Sequence, residues 1–136
     1  MRLSKLVIAL ALFWAPIVLT ACGGGAAASR DSGNCTPNGA GEATATHLIK
    51  VVSDPTTLGT YVPKTVTVSA GQSIKWTFTE QSMQHSVTAD DGAFDSCLQG
   101  TGFTFTVTFA KPGTYAYHCS IHAQMTGAVV VREGGA

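Results

Sequence analysis

Between Phe103 and Phe109 the chain alternates without a slip. Phe103, Phe105, Val107 and Phe109 occupy every second position, with Thr104, Thr106 and Thr108 between them. Side chains of an extended strand point to opposite faces in turn, so this run carries one apolar face and one hydroxyl face. A helix would scatter the same four apolar residues around its circumference. The segment therefore requires a strand buried on one side, with other strands beside it. Ile74-Lys75-Trp76-Thr77-Phe78 repeats the pattern, and Lys64-Thr65-Val66-Thr67-Val68 alternates as cleanly. His47 to Val52, Tyr115 to Cys119 and Gly127 to Val131 are further β-prone runs, with a short one at His85 to Thr88. Turns stand between them at Ala70-Gly71-Gln72 and Lys111-Pro112-Gly113, where Pro fixes φ and Gly tolerates positive φ. No segment has a helical period. Many short strands parted by Gly and Pro turns predict an all-β single domain, a β-sandwich or small barrel, over residues 42–136.

The N-terminus follows different rules. Met1 to Lys5 is short and basic, and Leu6 to Leu19 is apolar apart from Pro16. The run is short for a membrane span and has the layout of a secretory signal, assigned to residues 1–21. It ends in Leu19-Thr20-Ala21-Cys22, which resembles the bacterial lipobox, where the Cys is lipidated and becomes the new N-terminus. Such an end carries more than one acyl chain and anchors stably to a membrane. Residues 22–41 are rich in Gly, Ala, Ser and Asn and are expected to form the lipidated N-terminus and a flexible linker. Without residues 1–21 the chain has six Lys and Arg against eight Asp and Glu. That balance argues against a nucleic-acid partner, which needs a basic surface.

The four cysteines divide by context. Cys22 belongs to the lipobox and Cys119 to the motif described next. Cys35 and Cys97 remain, and in an exported chain they meet an oxidising compartment, where such a pair tends to join. Closing a loop of roughly 60 residues stabilises by about 4 kcal/mol in the chain-entropy account. Two free thiols are the alternative.

The stretch that carries chemistry is Tyr117-His118-Cys119-Ser120-Ile121-His122-Ala123-Gln124-Met125. Cys, His and Met recur there at intervals of three, starting at a strand end and running into a loop. A loop can wrap three side chains around one point; a regular strand cannot. Thiolate, imidazole and thioether together select a soft or borderline metal, and copper is the main one that uses all three. Zinc rarely takes Met, and calcium and magnesium want oxygen. A second imidazole is best supplied by His85, in Met83-Gln84-His85-Ser86-Val87. Two His and one Cys with a more distant Met make a blue-copper set.

With Phe94-Asp95-Ser96, Phe103 to Phe109, Pro112-Gly113-Thr114-Tyr115-Ala116-Tyr117 and then Cys119, His122, Met125 and Gly127, the chain resembles the cupredoxin family. It is most similar to the plastocyanin and amicyanin branch, with an amicyanin-like short ligand loop. The resemblance covers roughly residues 47 to 131. It implies a Greek-key β-sandwich holding one copper, Cu(I) or Cu(II), on His85, Cys119, His122 and Met125. It also implies one-electron transfer between redox proteins and no enzymatic activity. Two positions depart from the family pattern. Ile121 stands where many relatives have Pro, and Ser86 where many have the Asn that braces the loop after the Cys. Ser86 and Ser120 could form a weaker brace, and loop rigidity and potential depend on it.

The other chemistry-bearing residues have plainer readings. His118 follows strand alternation away from Cys119 and is read as an outward polar side chain. His47 is read as an edge or surface residue, and Met83 as packing near the site. Glu80, Asp90, Asp91 and Asp95 form a loosely acidic region, solvated or suited to a basic redox partner. No nucleophile–base pair, paired carboxylates or phosphate loop is present. The expected protein is a monomeric electron carrier of the cell envelope, lipid-anchored at Cys22 to the outer face of a bacterial membrane. The alternatives are an extracytoplasmic copper carrier or chaperone, which three Met in all disfavour, and an accessory domain of a copper enzyme such as a nitrite reductase.

Overall fold

The structure is a computed structural model, which describes residues 35–79 and 82–134. The signal segment, Cys22 and Glu80 lie outside those residues. Eight strands form, and no helix is present among the described residues: β1 (His47–Val52), β2 (Thr60–Val62), β3 (Thr65–Ser69), β4 (Ser73–Phe78), β5 (Thr88–Ala89), β6 (Thr104–Thr108), β7 (Gly113–Cys119) and β8 (His122–Arg132). They make two four-stranded sheets, ordered β2-β1-β4-β6 and β3-β8-β7-β5. From β2 to β7 the chain passes repeatedly from one sheet to the other, as a Greek-key sandwich requires.

The alternation seen in the sequence sets the register. β4 pairs antiparallel with β6, placing Trp76 beside Phe105 and Ile74 beside Val107. β1 lies parallel to β4 on its other side, so Ile49 joins Trp76 and Val51 joins Phe78. In the second sheet β3 and β8 are parallel, with Val66 opposite Val129 and Val68 opposite Val131. The inward faces meet around Trp76, whose ring contacts Phe94, Phe105, Phe109 and Tyr117 at centroid distances of 5.4 to 6.5 Å. Tyr117 demands a bare partner on the neighbouring strand. A Cβ on Gly127 would lie 2.4 Å from its ring, so a strand position that ordinarily disfavours Gly needs it here.

Two expectations need correcting. His85 to Thr88 is not a continuous strand: only Thr88–Ala89 belongs to β5, and His85 makes an isolated bridge to Gln99. β2 had no signal, being three residues long between Gly59 and Pro63. Cys35 and Cys97 are joined by a disulfide. Residues 35–41, read from sequence as the end of the linker, are tied to the sandwich. Asn38 exchanges backbone hydrogen bonds with Asp95, and the Gly41 amide donates to the Thr106 carbonyl.

Candidate metal centre

Two strands and two loops meet at one end of the sandwich. β7 ends at Cys119, and a two-residue turn, Ser120-Ile121, leads into His122. In the β7–β8 ladder His118 pairs with Thr126, whereas Cys119 pairs with His122. Ala123, Gln124 and Met125 therefore bulge from the ladder. The bulge breaks the period of two: His122 and Met125 are both buried although three positions apart, and Ala123 and Gln124 between them are exposed. The sequence reading placed these residues in a loop. The strand begins at His122 instead, and the bulge does the wrapping that a loop was expected to do.

His85 comes from the loop before β5 and is held by its backbone. Its N–H donates to the Gln99 carbonyl at 3.0 Å and its carbonyl accepts from the Gln99 N–H at 2.8 Å. Its Nδ1 faces His122 Nδ1 at 3.0 Å and Cys119 Sγ at 3.9 Å, and Cys119 Sγ lies 3.5 Å from His122 Nδ1. The point equidistant from the three atoms is about 2.0 Å from each, close to metal–imidazole and metal–thiolate bond lengths of roughly 2.0 to 2.3 Å. His85, Cys119 and Met125 are essentially inaccessible, and His122 keeps 8 % exposure. Burial, and then the neighbouring His122 imidazole, push His85 down to about 4 from 6.5. It is therefore neutral at pH 7, the form that ligates a metal. His85 Nε2 is buried with no hydrogen-bond partner. A cost of about 1 to 3 kcal/mol for such a group marks a ring oriented by what its Nδ1 faces.

Gly59, between β1 and β2, covers this group. A Cβ there would lie 2.3 Å from His85 Cε1, 2.8 Å from His85 Nδ1 and 2.7 Å from Met125 Sδ. The Met125 thioether and the His85 imidazole thus border the same space, which an alanine would invade. Gly59 is held by a local turn. The Asp54 carboxylate accepts the Thr57 and Thr56 N–H groups, each at 2.8 Å, which hold its carboxyl below the usual range. The Thr57 hydroxyl reaches both Asp54 at 3.1 Å and the Gly59 carbonyl at 2.8 Å. Asp54-Pro55-Thr56-Thr57 is a legible turn signal, but nothing in the sequence links Gly59 to His85.

Around Cys119 the expected Ser brace is present. The Ser86 N–H donates to Cys119 Sγ at 3.3 Å, the Ser120 N–H donates to Ser86 Oγ at 2.8 Å, and the two hydroxyls meet at 3.1 Å. Tyr61 Oη donates to the Ser86 carbonyl at 2.5 Å, a contact that sequence reasoning missed. Burial foremost raises the Tyr61 phenol, which keeps it a donor.

The remaining candidates stand apart from the group. His118 is turned outward, its Nδ1 2.6 Å from Asp90 Oδ1. His47 opens β1, short of the residues that β2 covers, and is half-buried beside Ile74 of β4. Met83, expected to pack near the site, is 42 % exposed. It follows a polar loop rather than a strand, so no sheet face draws it inward. Asp90 and Asp91 are exposed, but Asp95 is turned inward to the Cys97 N–H and the Thr88 hydroxyl.

The donor set, the triangle and the close approach at Gly59 all suit a bound copper ion. Known proteins agree with this architecture. The family model for the cupredoxin-like domain matches residues 9–131. Chloroplastic plastocyanin of Physcomitrium patens is 33 % identical over 95 residues, covering 61 % of this chain and 56 % of its own. Amicyanin-alpha of Methylorubrum extorquens is 37 % identical over 71 residues, covering 48 % of this chain and 59 % of its own. The chain thus spans somewhat more than half the length of these relatives. Among solved structures, a purple cupredoxin from Nitrosopumilus maritimus superposes with a TM-score of 0.51 at 26 % identity, covering 61 % of this chain and 98 % of that one. A reduced Cu(I) form of an amicyanin mutant gives 0.52 at 28 % identity, covering 71 % and 92 %. On fold, site geometry and family match together, the chain belongs to the cupredoxin-like family.

Proposed function

We propose that this chain is a one-electron carrier working outside the cytoplasm, with a single copper held by His85, Cys119, His122 and Met125. The observation that carries the proposal is the buried triangle of two imidazoles and one thiol, with a thioether bordering the same space. Bound there, copper would supply a Cu(I)/Cu(II) couple. The residues do the rest. Cys119 and the two imidazoles are fixed by the β7–β8 hairpin and the His85–Gln99 bridge, so little need rearrange when the charge changes. Burial excludes water, and four protein donors leave no place for a substrate, which supports transfer over catalysis. His122 keeps the most exposure of the four and is the proposed route for electrons to and from a partner. Ile121 and Leu58, both 53 % exposed, give partners apolar surface at this end, and Asp90 and Asp91 favour a basic one. The export signal and a lipid anchor at Cys22 belong to the same proposal.

The decisive measurement is visible absorption after adding Cu(II) to the purified chain. An intense thiolate-to-copper band is expected in the wild type and not in Cys119→Ser. Copper bound without colour would refute the electron-carrier reading and favour a copper carrier.

A further inference from the structure

We propose that Ser96 is a positioning residue for the centre: its hydroxyl takes the place of a ladder carbonyl opposite Val87 and closes a bulge that sets where His85 meets Cys119 and His122. The proposal rests on the copper reading of those three residues.

The bulge follows from the register. The segment around His85 runs antiparallel to the segment after Phe94. The Ala89 N–H donates to the Phe94 carbonyl, and Thr88 bridges Asp95. Continued regularly, this pairing would bring Val87 opposite Ser96 and His85 opposite Leu98. His85 bridges Gln99 instead. One extra residue therefore lies on the second segment between Ser96 and Gln99, where Cys97 has a φ of 55°. Such bulges bend a strand, re-aim side chains and gather beside functional sites.

The hydrogen bonds show how this bulge is closed. A regular pair exchanges two backbone bonds, one each way. The Ser96 N–H makes its half, to the Val87 carbonyl at 3.0 Å. A side chain makes the other half: the Val87 N–H donates to Ser96 Oγ at 2.8 Å. The Ser96 carbonyl is engaged elsewhere, accepting from Gln99 Nε2 at 2.7 Å, and the Ser96 hydroxyl donates to the Cys97 carbonyl at 2.9 Å. Ser96 and Gln99 are both fully buried, so neither side chain can trade its partner for bulk water. Val87 belongs to the core, and His85, two positions before it, is buried on the same face. Displacing the Val87 N–H therefore displaces the imidazole, and Ser96 acts on His85 through the backbone. The disulfide from Cys97 to Cys35 fastens the extra residue itself.

The test compares the intact wild-type chain with Ser96→Ala, which removes the hydroxyl, Gln99→Met, which releases the Ser96 carbonyl, and Val68→Ala. Val68 is buried and pairs with Val131, which faces Gly113 at the end of β7 opposite Cys119. The last variant thus destabilises without reaching the bulge. Cu(II) alone is the probe. The readouts are Cu(II) affinity by competition, the position of the thiolate band and, without metal, amide exchange at Val87 and thermal unfolding. Ser96→Ala should weaken Cu(II) binding about 10-fold, the lower end for partners outside the ligands, move the band and speed exchange at Val87. Gln99→Met should also move the band, and Val68→Ala should lower the unfolding temperature alone. A normal wild-type band that neither Ser96→Ala nor Gln99→Met moves overturns the assignment, even if their unfolding temperatures fall. A band that Val68→Ala moves as far overturns it too. Unchanged exchange at Val87 in Ser96→Ala overturns it without reference to copper. A wild type with no thiolate band overturns the copper reading and the assignment with it, even where Val87 exchange speeds up.

Discussion

Single residues at the centre differ in how far the sequence reveals them. Cys119, His122 and Met125 announce themselves by spacing because they are covalently close. His85 is found by the chemistry still missing from that set. Gly59 is invisible, because its role is an absence of atoms beside residues far along the chain. His85 carries a consequence for the metal-free protein. Its folded pKa is about 4 against 6.5 for the free side chain, through burial and then His122. Between those values the unfolded chain binds more protons than the folded one, so stability falls as pH falls. This contribution is fully present above about pH 6.5 and is lost on descending toward 4. Thermal unfolding of the metal-free chain from pH 7 to 4 should show the decline, and His85→Gln should flatten it. An unchanged slope in that variant would contradict the assignment.

Strands were legible where alternation ran for five residues or more, as in β4 and β6. Shorter elements were not. β5 and β2 are defined by their partners rather than by their own pattern, and three or fewer residues cannot show a period. β2 nevertheless delivers Tyr61 to the Ser86 carbonyl beneath the centre. Tyr61→Phe keeps the ring, its edge contact with Tyr117 at 4.8 Å and its burial, but strands a buried carbonyl. A loss of about 1 to 3 kcal/mol in denaturant-induced unfolding is expected. A change close to zero would mean that another donor reaches that oxygen. The β7–β8 bulge was legible only in part. Ligand spacing required wrapping, but whether a loop or a broken ladder supplies it depends on the register of both strands.

Across the whole molecule, family, sandwich and disulfide partners were readable from the sequence, whereas the interlocking of loops around the centre was not. Each such contact joins residues remote in sequence, and no local pattern encodes it. Residues 35–41 show the same limit: their composition resembles a linker, yet Asn38, Gly41 and the Cys35–Cys97 bond fasten them to the sandwich. The proposed anchor is a property of the full chain. Cys22→Ala should move the protein from the membrane fraction to the soluble one with its copper band intact. Persistence in membranes would remove the lipid anchor from the proposal.

The parentage of the centre also has a meaning in time. Three of its four proposed ligands, Cys119, His122 and Met125, lie on one hairpin, and hairpins form in roughly 1 to 10 microseconds. The fourth, His85, arrives from 34 residues upstream, on a loop that pairs with Gln99 and is tied beside it by the Ser86 N–H to Cys119 Sγ and by Tyr61 Oη to the Ser86 carbonyl. Sandwiches rich in distant pairings assemble over roughly milliseconds to seconds. A folding chain can therefore bring those three side chains together before His85 joins them. Before that, a metal ion meets one thiol, one imidazole and one thioether, without the second imidazole. The second imidazole is thus the ligand that depends on the whole sandwich rather than on the hairpin alone.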